Sequence, residues 1–497
     1  MRASGILLPV FSIPSPHGIG CFSKEAYQWI DFLVKAGQQY WQILPLGPTS
    51  FGDSPYQSFS TFAGNPYFID LEALVKAKFL TRKELKACDC GSNERDIDYG
   101  KLYVNRMALL KKAFARSLKV EDPDFEAFRK ENGWWLEDYA LFMAVKDIFK
   151  GASWDQWAED IRYRWDNAMG YYRSNYAEEI SFYAWLQYLF AQQWKALKAY
   201  ANEKGIRIIG DIPIYVAYDS ADVWAHPELF QLDSERKPTA VAGCPPDGFS
   251  ADGQLWGNPL YRWDYHRNTG YDWWVQRIDS CFALYDVVRI DHFRGFDEYY
   301  SIPAGDKTAV NGHWEKGPGI DLFHVLKKRL GEKDIIAEDL GYMTDSVRRM
   351  VKESGYPNMK VLEFAFDSRD SSGAGDYLPH NYGTNCVAYT GTHDNETILG
   401  WLSSIKKSEK NMVRTYLNRM IEPDEVLASE LVRTAVASVA KMCIIPIQDY
   451  LLLDNQARIN FPSTLGTNWR WRLTKEDLTK ELAREIRKLN RTYGRVG

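Results

Sequence analysis

The chain has no run of about 18 uninterrupted apolar residues, so a membrane span is not expected. It also lacks the charged start and continuous apolar stretch of a secretory leader. The segment Met1 to Pro16 carries a single Arg, and its apolar stretch from Gly5 to Ile13 is broken by Pro9. There is no excess of positive charge: 61 Lys and Arg stand against 66 Asp and Glu, for a net charge of -5. No basic field is present to draw a phosphate backbone, which removes nucleic acid from the expected partners. Paired cysteines are missing too. The seven at positions 21, 88, 90, 244, 281, 386 and 443 are odd in number and scattered, unlike a disulfide framework, so a reducing cytoplasm is expected. Only Cys88 and Cys90 lie close together, and C-x-C without a second ligand pair is a poor zinc signature. No glycine-rich phosphate loop occurs, and neither a metal nor an organic cofactor is expected.

What is present is ordinary in bulk and unusual in one respect. At 497 residues, with 45% hydrophobic and 26% charged, the chain has the make-up of a globular protein with a large core. Its aromatic content is high: 18 Trp, 30 Tyr and 24 Phe. Flat rings with polar tips suit the C–H faces of sugars, although most aromatics in a chain of this size serve the core.

Short apolar runs ending in polar residues, each followed by a helix-like stretch, are the pattern of parallel strands buried on both faces. Such runs lie at Trp41 to Leu44, Ile206 to Gly210, Asp286 to Ile290, Asp334 to Ala337, Lys360 to Phe364, Cys386 to Tyr389 and Met442 to Pro446, with a weaker one at Tyr67 to Asp70. Helices are expected at Glu25 to Ala36, Ser181 to Lys204 and Glu425 to Lys441, the second stopped by Gly205. Eight strands alternating with helices predict an α/β protein, a (β/α)8 TIM barrel with helical and loop insertions. Residues 1–497 are read as a single catalytic barrel, with a mostly helical insertion at 75–180. An irregular insertion rich in Gly, Pro and Asp is expected at 233–270.

In a barrel of this type, polar residues at the C-terminal strand ends face the site. Three strand ends carry acids. Arg289 and Asp291 lie two residues apart on one strand, hence on the same face, and an Arg beside an Asp favours the ionised carboxylate, as a nucleophile needs. Glu338 follows the apolar run Ile335 to Ala337, where partial burial beside other acids raises a pKa and suits a general acid. Asp394, preceded by His393, ends a third strand. Taken singly, each has a plainer reading: an Asp at a strand end is often a cap or an ion-pair partner. Glu338-Asp339 could equally be the acidic first turn of a helix. Jointly they supply the parts for retaining glycosidic exchange.

The segments Arg289 to Gly295, Ala337 to Gly341 and Gly391 to Asn395 resemble the nucleophile, acid/base and stabiliser motifs of the α-amylase clan. Leu44 to Pro48 with Ser54 to Ser60, Gly210 to Val216, Pro245 to Pro259 and Thr467 to Arg472 narrow the resemblance. Together they resemble the amylomaltase (disproportionating enzyme) family of 4-α-glucanotransferases, glycoside hydrolase family 77, over nearly the whole chain. The resemblance implies Asp291 as nucleophile, Glu338 as acid and base, and Asp394 as transition-state stabiliser. It also implies Tyr56, Asp211, Trp256, Arg289, His292, His393 and Asn460 as substrate-binding residues, with His393 a neutral donor. Gly243 to Pro259 would form a lid on the acceptor side. Maltooligosaccharides, amylose or other α-glucans would be the substrates. The chain departs from the family pattern at Asn460-Phe461-Pro462-Ser463-Thr464, where Ser463 replaces a glycine, and at Gly248, where a bulkier residue is usual.

Overall fold

The computed structural model describes residues 2–50, 52–246, 250–341, 343–368 and 374–496. Eight parallel strands close a barrel: β1 (Ala3–Leu7), β2 (Tyr40–Gln42), β3 (Arg207–Pro213), β4 (Val287–Asp291), β5 (Ile335–Ala337), β6 (Asn358–Val361), β7 (Cys386–Tyr389) and β8 (Met442–Pro446). Each pairs with its neighbours in sequence, and β8 returns to β1 with Ala3 opposite Met442. The (β/α)8 barrel expected from the alternating pattern is therefore the fold.

Strand alternation assigns every side chain to one of two cores. Leu7, Ile209, Val287, Ile336, Met359, Val387 and Ile444 form a buried cluster inside the barrel. Ile6, Trp41, Ile208, Val288 and Ile290, on the intervening positions, pack outward against the helices. The inward row of β3 runs Ile209, Asp211, Pro213 and that of β4 runs Val287, Arg289, Asp291. Each strand therefore begins apolar at the floor and ends polar at the mouth.

The strands differ from the sequence reading in instructive places. Tyr67 to Asp70 is not a strand: Asn65 caps a 3-10 turn over Pro66–Phe68, accepting from the Tyr67 amide, and Asp70 then caps the helix Leu71–Lys76. The strand missing from the sequence reading is β1, Ala3–Leu7, short and holding Ser4 and Gly5. Gly5 is needed there, since a Cβ would come within 2.6 Å of the Tyr40 side chain on β2. The expected strand Lys360 to Phe364 starts earlier, at Asn358, and gives way to a 3-10 helix from Leu362.

Between β2 and β3 the chain is helical, its longest pieces being Pro123–Ile148 and Ala177–Glu203, which pack along each other. Asp122 caps the first by accepting from the Phe125 amide at 3.1 Å, with Pro123 at the favoured first position. Gly205, at φ +79°, turns the chain out of the second into β3. The 233–270 segment, expected to be irregular, is more ordered than that. Ala240–Cys244 and Gln254–Pro259 are strands of an antiparallel four-stranded sheet completed by Glu298–Pro303 and His313–Lys316. Among the described residues, no helix is long and apolar enough to cross a membrane.

Candidate active site

The register of β3 and β4 sets Asp211 opposite Arg289 and Pro213 opposite Asp291. Arg289 Nη1 lies 2.8 and 2.7 Å from the two Asp211 oxygens, and Nη2 lies 2.9 Å from Asp291 Oδ1. Asp211 is wholly buried and also accepts from the Tyr56 hydroxyl at 2.7 Å. One guanidinium thus serves two carboxylates. Asp291 is pushed up to about 6: loss of water is the largest cause, Arg289 opposes it, and Asp211 and Asp394 add like charge. Arg289 lowers this pKa as expected, but burial outweighs it and the net shift is upward. At neutral pH Asp291 is still mostly ionised.

Glu338 follows β5 and is buried. Its Oε2 accepts from the His292 amide at 2.7 Å and its Oε1 from the Leu340 amide at 2.6 Å. Burial, then the Asp291 charge, push it up to about 8, against Arg289 and the two amides. It is a neutral acid at pH 7. The neighbouring Asp339 turns away, accepting from the Met359 amide and from Asn358 Nδ2. The next helix begins only at Asp345, so the pair is not a helical first turn.

Asp394 follows β7 and is held differently. Asn460 Nδ2 donates to its Oδ1 at 2.6 Å, His393 Nε2 lies 3.3 Å from its Oδ2, and Arg458 Nη2 donates to its carbonyl at 2.8 Å. Burial would raise Asp394, but His393 and Asn460 outweigh it and hold the group well below the usual carboxylate range. His393 is raised above 6.5 in turn: its burial is outweighed by the Asp394 charge. The contact with Asp394 shifts the balance towards the charged imidazole, away from the neutral donor expected. Its ring stacks on Tyr56 at 5.1 Å and 13°, and Trp469 closes the cluster 5.8 Å from Tyr56. The Ser463 turn keeps a glycine-like backbone, with φ +63°.

Trp256 stands on the strand Gln254–Pro259, half-buried, with its ring edge-on to His292 at 4.9 Å. His292 Nε2 is buried without a partner, and burial, with Arg294 adding to it, lowers the imidazole to about 3. Asn258 ties the strand to the barrel through the Val216 carbonyl at 2.8 Å and to Gln57. Gly248 and Asp247 of the expected lid lie outside the described residues. Among the described residues, no group of three or more His, Cys, Asp and Glu could hold a metal ion.

All ten residues singled out in the sequence sit around this mouth: Asp211 on β3, Arg289 and Asp291 on β4, Trp256 on the strand Gln254–Pro259, and the rest on the segments that follow β2, β4, β5, β7 and β8. A family model described as 4-alpha-glucanotransferase matches residues 8–479. The chain belongs to that family. A 4-α-glucanotransferase of Clostridium butyricum is 49% identical over 488 residues, covering 98% of this chain and 99% of its own. One from Thermus thermophilus is 46% identical, covering 98% and 97%. The amylomaltase of Streptococcus agalactiae, solved with acarbose, superposes with a TM-score of 0.96 at 43% identity, over the full length of both chains.

Within this 4-α-glucanotransferase site, some groups escaped the sequence reading. Arg458 joins the Asp394 carbonyl to that of Asn460 at 2.7 Å; its only signal was its position two residues before Asn460. Trp469 lay in a quoted motif but carried no assigned role. Met359 Sδ accepts from Arg289 Nε at 3.3 Å from across the barrel. The amides of His292 and Leu340 have no side-chain signature at all.

Proposed function

We propose that this protein moves a segment of an α-1,4-glucan to the 4-hydroxyl of glucose or another maltooligosaccharide by retaining double displacement. The observation that carries the reading is three carboxylates in one mouth, each held by different partners: Asp291 by Arg289, Glu338 by the His292 and Leu340 amides, and Asp394 by Asn460 and His393. Burial and like charge raise Asp291 to about 6 and Glu338 to about 8, while its partners hold Asp394 low. Asp291 attacks the anomeric carbon as Glu338 gives its proton to the glycosidic oxygen, and the leaving glucan departs with a new hydroxyl. A glycosyl ester on Asp291 remains. Forming that ester removes one of the two causes that raise the Glu338 pKa, the Asp291 charge, so Glu338 becomes a stronger acid. It then takes the proton of the acceptor 4-hydroxyl as that oxygen attacks the anomeric carbon and frees Asp291.

Asp394, fixed by Asn460 and His393, binds sugar hydroxyls and faces the developing oxocarbenium charge. Arg289 and Asp211 hold the nucleophile and Tyr56 in place. Tyr56 and Trp256 offer ring faces to the sugar, and His292 and His393 offer ring nitrogens. The strand bearing Trp256 walls the acceptor side, favouring a sugar hydroxyl over water. Maltooligosaccharides and amylose are the substrates in this reading. No disulfide joins the described cysteines, which supports a reducing, cytoplasmic setting.

Incubation with maltotriose tests the reading. A ladder of longer oligomers together with free glucose, at constant total reducing ends, is expected. Rising reducing ends without longer products would instead mark a hydrolase.

A further inference from the structure

Beneath the loop that carries the stabiliser, we propose that Asp449 is a positioning residue. Its buried carboxylate joins the two ends of the stretch 391–397 and so fixes where His393 and Asp394 stand. The inference rests on Asp394 acting as transition-state stabiliser.

Asp449 lies on the short helix Ile447–Tyr450 that follows β8, and is almost wholly buried. Its Oδ2 accepts from the hydroxyl of Thr390, the first residue after β7. Its Oδ1 accepts at 2.8 Å from the amide of Ile398, where the helix Ile398–Ser404 begins. That amide is one of the first-turn donors that a helix cannot satisfy within itself. One carboxylate therefore closes the stretch 391–397 into a ring. Inside the ring, Asn395 Oδ1 accepts from the amide and the hydroxyl of Thr392, both at 2.9 Å. The Asp394 amide donates to Thr392 Oγ1 at 3.3 Å. The loop is thus ordered within itself, and its feet stand on Asp449.

An apolar side chain would fill this space without the cost of a buried charge. Burial pushes Asp449 up to about 6, against the Ile398 amide and the Thr390 hydroxyl. Both its oxygens are spent on these two groups rather than on His393 or Asp394, so what it does for them passes through the chain between. Freed at its base, the stretch regains conformational freedom that closure removes. A drift of roughly an ångström at Asp394 is enough to weaken its hold on the developing charge.

Three variants separate the tie from the charge. Asp449→Asn removes the charge but keeps both contacts, its amide nitrogen donating to the Thr390 hydroxyl. Asp449→Ala removes both contacts, and Thr390→Val removes one. With maltotriose, kcat should stay within roughly threefold in the Asn variant and fall roughly 10- to 100-fold in the Ala variant, with Thr390→Val between and KM little changed. The second readout is the His393 imidazole, followed by NMR of the histidine-labelled protein and identified by its absence in His393→Gln. Burial, Asp394, Arg289 and Asp211 act on that ring, and its contact with Asp394 raises it. A loosened loop stretches that contact. The His393 pKa should therefore fall by roughly half a pH unit or more in Asp449→Ala and Thr390→Val, and hold its place in Asp449→Asn. Thermal unfolding checks that each variant is folded, and Thr390→Val keeps the test decisive should Asp449→Ala fail to fold. Three results each overturn the proposal: Asp449→Asn as damaging as Asp449→Ala, wild-type kcat in a folded Asp449→Ala or Thr390→Val variant, or a fall in kcat with His393 unmoved. All three leave Asp394 standing as stabiliser. Near-normal turnover in Asp394→Asn would remove that assignment instead.

Discussion

Two places in the mouth carry an aspartate and a histidine side by side in sequence, Asp291-His292 after β4 and His393-Asp394 after β7, and they behave in opposite ways. At the first, the carboxyl is raised to about 6 and the imidazole is lowered to about 3. At the second, the imidazole is raised and the carboxyl lowered. Geometry separates them. His393 Nε2 lies 3.3 Å from Asp394 Oδ2, so the two stabilise each other's charge, and Asn460 adds a donor. His292 turns out of line with β4, and its ring meets Trp256 and Tyr215 rather than its neighbour's carboxylate. Asp291 is left with a share of Arg289, whose other hand is on Asp211. Adjacency in a chain does not make an ion pair; a contact does.

The comparison can be broken from either side. Asp291→Asn should cost the most, roughly 10⁴- to 10⁶-fold in kcat, since no other group can form the ester. Glucan binding should persist in an affinity measurement, and near-normal turnover would end the assignment. Glu338→Gln comes next, at roughly 10²- to 10⁴-fold with maltotriose. A maltosyl fluoride donor, whose leaving group needs no proton, should lose far less. Asn460→Ala should cost roughly 10- to 100-fold in kcat/KM by removing a hydrogen bond to a charged group. If it leaves kcat/KM unchanged, the Asp394 side owes its low pKa to His393 alone.

The smallest effect is the pH profile of the unaltered protein. Below about 6 Asp291 gains a proton and cannot attack; above about 8 Glu338 loses one and cannot donate. A bell with limbs near those values is expected, read as properties of the coupled pair. Rising activity above pH 9 would contradict it.

Much of the barrel was legible. Seven strands were readable as apolar runs with acids at their ends, because burial on both faces leaves an unbroken apolar signal. Ala3–Leu7 was not, since Ser4 and Gly5 dilute its five residues. Tyr67 to Asp70 imitated a strand, because the caps Asn65 and Asp70 act through backbone amides that composition does not display. The antiparallel strands around Gly243 and Gly257 were hidden by glycine and proline, residues that read as loop. In the site, side chains on a two-residue period were found readily. Groups acting through the main chain, such as the amides on Glu338, were not.

The sequence by itself determined which residues reach the mouth. Strand period and strand end place Asp211, Arg289, Asp291, Glu338 and Asp394 there, and no packing detail is needed for it. Only the tertiary structure decided what each one is. Protonation depends on distances of a few ångströms between strands far apart in the chain: Asp211 against Asp291 for one arginine, Asn460 and His393 upon Asp394, and burial upon Glu338. Charge in a dry site is a property of neighbours, and neighbours are chosen by the fold.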